Sequence, residues 1–131
     1  MSRFTKALIG ASLSLAAAAS FALPPTELVS HNNTDVSSQA YLGPNLDIPQ
    51  QPTAPGAVKR VSWVSVRILC MNTPKPGICP AKIALNTTPQ TTLGVVELNL
   101  ATGDINPKVL SANGYKMTVI KPGEIAFTKG A

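Results

Sequence analysis

Cys70 and Cys79 are the only cysteines of the chain, and the eight residues between them read Met-Asn-Thr-Pro-Lys-Pro-Gly-Ile. Two thiols this close in an oxidising compartment pair as a disulfide. In the chain-entropy account, closing a loop of this size contributes about 2.5–3 kcal/mol. Such a bond would hold a Pro-containing loop with Lys75 and Pro76 at its tip, a candidate interaction loop. Secreted protease inhibitors present preorganised segments in this way, and Lys75 would then be the specificity residue for a trypsin-like partner. The proline that follows works against that reading, because a bond before proline is a poor protease substrate. In the reduced state, Cys70 and Cys79 would join Met71 as soft ligands suited to Cu(I). Three such side chains do not make a site without geometry, so the disulfide is preferred and no metal or cofactor is expected.

The rest of the catalytic inventory is thin. His31 is the only histidine, and it falls in a polar, proline-rich stretch, so neither a Ser-His-Asp nor a Cys-His arrangement can be assembled around it. His31 and Asp35 stand four apart, yet Asn32, Asn33 and Thr34 between them point to a loop, where that spacing creates no shared face. Glu97, Asp104 and Glu124 are the only acids after residue 57, and they fall in different predicted elements, which argues against a working carboxylate pair. There is no glycine-rich phosphate loop. These absences point away from an enzyme; an unrecognised hydrolase completed by a partner chain is the remote alternative.

The elements that must position these residues are strands. Val64, Val66, Ile68 and Cys70 alternate with Ser65, Arg67 and Leu69, a period of two, so Val58 to Cys70 reads as one strand. Val61 and Trp63 fall on the other parity, which implies a bulge near Trp63 or a strand passing between layers there. Ala81, Ile83 and Leu85 form the inward face of a second strand, and Val96, Leu98 and Leu100 that of a third. Thr102-Gly103-Asp104 turns the chain back into Ile105, and Pro107 keeps that arm short or at an edge. Asn113-Gly114 is a further turn, leading to Tyr115, Met117 and Val119 on one face. Lys121-Pro122-Gly123-Glu124 fits a type II turn before Ile125 and Phe127. Five to six short strands without a helical pattern predict an all-β domain over residues 58–131, a small antiparallel sandwich or open barrel.

Before that domain lie two segments of other character. Residues 1–22 carry Arg3 and Lys6, an apolar run from Ala7 to Ala19, and small residues at Ser20 and Ala22, the pattern of a cleaved Sec-type signal peptide with a bacterial, Ala-rich composition. The run is too short to span a bilayer as a helix, so the mature chain should have no transmembrane segment and be secreted or periplasmic. Residues 23–57 hold six of the 12 prolines, three acids and no Lys or Arg. They read as an extended or disordered acidic leader, in which Tyr41, Leu42, Leu46 and Ile48 could dock along a sheet edge.

Charge divides the same way, with nine basic residues against three acids in 58–131 and a net +5 for the whole chain. The leader should therefore touch the core through salt-sensitive contacts. With only Trp63, Tyr115 and Phe127 as core aromatics, the basic residues lack the interleaved stacking platforms of a single-strand binder, and no specific nucleic-acid partner is expected. No motif names a substrate or a reaction. The reading is an exported non-enzymatic β-domain that binds another protein or an anionic envelope polymer, with a secreted protease inhibitor acting through Lys75 as the alternative.

Overall fold

The structure is a computed structural model that describes residues 23–130; the expected signal peptide lies outside the described residues. In chain order the elements are β1 (Glu27–Asn33), β2 (Ser38–Leu42), β3 (Ile48–Pro49), β4 (Val58–Ser62), α1 (Trp63–Leu69), β5 (Ile78–Leu85), β6 (Thr91–Asn99), β7 (Ile105–Asn106), β8 (Val109–Ala112), β9 (Tyr115–Lys121) and β10 (Glu124–Lys129). They form two five-stranded sheets, ordered β4-β1-β10-β9-β8 and β3-β2-β5-β6-β7. The sheets face one another as a sandwich. Ile83, Leu85, Val96, Leu98 and Ile105 of the second sheet share one buried core with Tyr115, Met117, Ile125 and Phe127 of the first.

The turn chemistry accounts for the second half of the chain. Gly103 at φ 81° follows the β6 arm, where the Asn99 side-chain carbonyl accepts from the Ala101 and Thr102 amides. Asn113 and Gly114, both at positive φ, close the β8–β9 hairpin with Tyr115 opposite Ala112. Gly123, at φ 74°, closes β9 onto β10, and a Cβ there would lie 2.7 Å from Pro25 Cγ and 3.0 Å from the Glu27 carbonyl oxygen. Pro107 ends the two-residue β7 at the sheet edge, and the chain then passes into the other sheet as β8.

Two parts of the sequence reading change. The strand expected from Val58 to Cys70 stops at Ser62, and Trp63 to Leu69 is a helix. The parity switch at Trp63 therefore marks a change of element, not a bulge. Ser62 is the N-cap, its hydroxyl accepting from the Ser65 amide at 3.2 Å. Trp63, Val66 and Cys70, three and four residues apart, turn one face inward, and the indole N–H donates to the Leu100 carbonyl at 3.0 Å. Tertiary anchoring thus overrides the strand preference of Val and Ile.

Residues 23–57 also do more than lead. They supply β1 to the interior of one sheet and β2 and β3 to the other. The prolines fall where they cost the ladders little: Pro44 and Pro52 between strands, Pro49 ending the edge strand β3, and Pro55 before β4. Asn32 holds the crossing between sheets. It is fully buried, its Nδ2 donating to the Val36 and Thr53 carbonyls at 2.8 and 2.9 Å and its Oδ1 accepting from the amide and hydroxyl of Thr34. The one departure from antiparallel pairing among the described residues also arises here, because β1 runs parallel to β10, with Val29 opposite Glu124 and Asn33 opposite Thr128.

Candidate functional site

The inward face of the first sheet carries Leu28 and Ser30 on β1, Lys59 and Val61 on β4, and Ile125 and Phe127 on β10, with Leu28 opposite Val61 and Ser30 opposite Lys59. Ser38, Ala40 and Leu42 of β2 and Ala81 and Ile83 of β5 face them from the second sheet. Several of these side chains are small, and the sheets leave a cavity of about 280 Å³ between them. Buried Val66, Val96, Leu98, Ile105 and the Cys70–Cys79 pair complete its apolar wall. Exposed Leu69 and Gln51, with half-buried Leu42, Gln50 and Lys59, form the side that reaches solvent.

Lys59 is the cation at this cavity. It sits on the inward parity of the edge strand β4, half-buried, and its Nζ donates to the Gln51 carbonyl at 2.7 Å. Burial lowers its pKa from the ordinary lysine value. Elsewhere five of the six acids are matched with bases: Glu27 with Arg60, Asp35 with Lys129, Glu97 with Lys75, Asp104 with Lys108, and Glu124 with His31 and Lys121. Among the described residues no carboxylate reaches Lys59. Two of the three acids of the expected leader, Glu27 and Asp35, meet the basic part of the chain as ion pairs with Arg60 and Lys129.

Beside the cavity, α1 and the turn after it expose apolar side chains: Val64 is 66% exposed, Ile68 61% and Met71 72%. Leu69, at the cavity's open side, continues that surface. The helix thus buries its Trp63 face and leaves a short apolar flank in solvent.

Cys70 and Cys79 are joined, their Cα atoms 5.5 Å apart, and the bond ties the end of α1 to β5. Lys75 and Pro76 lie in the loop between. The Lys75 carbonyl accepts from the Thr73 hydroxyl at 3.0 Å and the Ile78 amide at 3.1 Å, and its ammonium is 3.1 Å from Glu97. The segment is a closed turn folded against β6. His31 and Asp35 part company: His31 Nε2 is 2.6 Å from Glu124, and Asp35 accepts from Tyr115 and Lys129. Glu97, Asp104 and Glu124 are each held by a separate base, and among the described residues no three His, Cys, Asp or Glu side chains gather as a metal site.

The sequence reading passed over Lys59 and the cavity. Their signal was present as small or polar residues on inward parity, Ser30 and Lys59 in one sheet and Ser38, Ala40 and Ala81 in the other.

Comparison with known proteins places the chain. No curated protein matches it. The profile of a family described as T2SS substrate NttC matches residues 1–130. Among solved structures, that of the Legionella pneumophila type II secretion system substrate NttC is 42% identical, with a TM-score of 0.73 over 81% of this chain and 99% of its own. The sandwich described above is thus shared with a crystallographically determined relative. Both likenesses lead to the same conclusion: this is a secreted protein that belongs to the NttC family of type II secretion system substrates.

Proposed function

We propose that this secreted domain acts by binding, not by catalysis, and that its binding element is the open flank of the sandwich where α1 meets the cavity between the sheets. The observation that carries the reading is the cavity itself. A domain of this size depends on close packing, and an unfilled apolar space of about 280 Å³ forfeits dispersion contacts along its whole lining. The mostly apolar wall offers water few partners, so an apolar guest recovers what solvent does not. The exposed apolar side chains of α1 extend the same surface outward, toward a protein or an envelope component.

The test is saturable binding of the neutral, environment-sensitive probe N-phenyl-1-naphthylamine to the mature chain, followed by fluorescence. One site per chain is expected. Filling the space from opposite walls, with Ala40→Phe on β2 or Leu28→Trp on β1, should abolish binding while cooperative unfolding is retained. Probe fluorescence that rises without saturation, or that both filled variants keep, would sink the proposal.

The inhibitor reading draws less support. Lys75 is paired with Glu97 and its carbonyl is already engaged from two sides, whereas a presented loop needs an extended backbone free to meet its protease. Wild-type protein is expected to leave trypsin-like proteases uninhibited.

A further inference from the structure

Lys59 gives the cavity a preference that its apolar wall alone does not. An ammonium has three donors, and only the Gln51 carbonyl engages this one, at 2.7 Å. The residue is half-buried with its ammonium on the exposed side, unmatched by any described carboxylate, and placed on inward parity opposite Ser30. An anion arriving at the mouth would meet two ammonium donors that no described residue engages and would supply the counter-charge this lysine lacks. Behind the ammonium lies an apolar space whose 280 Å³ corresponds, at about 30 Å³ per water-sized group, to roughly nine methylene-sized groups.

We propose that the cavity binds a single-chain amphiphile, an alkyl chain of medium length ending in a carboxylate or phosphate, with the chain between the sheets and the anionic end at Lys59. This rests on the reading of the cavity as the binding element. The chemistry at each end supports it separately. Leu28, Ala40, Val61, Ile83 and Phe127 offer the chain only apolar contact, and although Ser30, Ser38, Gln39 and Thr53 also line the space, the cavity's one charged group, Lys59, lies with Gln50 and Gln51 on the side that reaches solvent. An inward lysine on an edge strand also discourages unwanted strand pairing. That role is indifferent to what enters the cavity, so ligand selectivity separates the two.

The experiment is displacement of N-phenyl-1-naphthylamine from the mature chain by four ligands of equal chain length: decanoate, decyl phosphate, decanol and decyltrimethylammonium, each below its micelle concentration. The anions should displace the probe at lower concentration than the alcohol, and the cation least well. Lys59→Met should weaken the anions about tenfold, the value of one charged hydrogen-bonding partner, and leave decanol unchanged. Decanoate leading decyl phosphate would indicate a fatty acid as the natural guest, and the reverse order a lysophospholipid-type head. If the probe binds but all four ligands displace it equally, or if Lys59→Met keeps the anion preference, the head-group assignment falls and the cavity reading survives. If the probe does not bind, both fall. Lys59→Arg, which keeps the charge, should retain the preference and so separates lost charge from disturbed packing.

Discussion

Asn32 illustrates how one polar side chain can decide where a segment goes. Its amide and carbonyl make four hydrogen bonds in a fully buried place, tying Thr34, Val36 and Thr53 together where the chain leaves one sheet for the other. Asn32→Ala would remove all four bonds at once and strip the Thr34 amide of its acceptor, although Ser38 N–H and the Thr34 hydroxyl still serve the Thr53 and Val36 carbonyls; a loss of about 2 kcal/mol is expected in denaturant unfolding. Carboxylates set the acid limit. The hydrogen bonds from Lys129 and then Tyr115 hold Asp35 below the usual carboxylate range, and the one from His31 does the same for Glu124. In both cases the unfolded chain takes up protons first as pH falls, so the stabilisation is complete above the unfolded carboxylate values and is lost as pH drops through the lower folded ones. Stability should therefore decline below about pH 4.5, and Asp35→Asn should flatten that decline in urea titrations read at successive pH values.

At the level of elements, legibility followed the source of each element's stability. β5, β6, β9 and β10 were readable because alternation and turn residues agreed, as at Asn113-Gly114 and Pro122-Gly123. α1 was not, because Val64, Val66 and Ile68 imitate a strand, and the groups that make the segment helical, the Leu100 carbonyl for the indole and β5 for the disulfide, are distant in sequence. A reading of Trp63, Val66 and Cys70 with Ser62 as cap would have found it. β1 and β2 were hidden by composition: their inward positions include Ser30, Asn32 and Ser38, which look solvated until a partner strand covers them. The cavity was hidden for the same reason, since the side chains that leave it open are small or polar. Cys70 also anchors the end of a helix of only seven residues, too short to persist alone. Replacing both cysteines by serine should cost about 2–3 kcal/mol, measured as a lower urea midpoint, and reducing agent should reproduce the shift in the wild type alone.

For the molecule as a whole, the arrangement of the strands matters more than their number. β10 lies at the centre of its sheet, flanked by β9 and by β1, and it carries Ile125 and Phe127 into the shared core. Removing residues 124–130 should therefore abolish cooperative unfolding altogether, whereas an edge deletion such as β3 would only weaken the domain; circular dichroism during a thermal ramp distinguishes the two. The pairing of the first strand with the last also has a bearing on export. While the carboxyl end is still on the far side of the inner membrane, β1 can pair only with β4, its other edge has no β10 to lie against, and the sheet cannot close prematurely around the translocation channel. Threading and folding are thereby kept in sequence by topology: the part of the chain that emerges first has to wait for the part that emerges last.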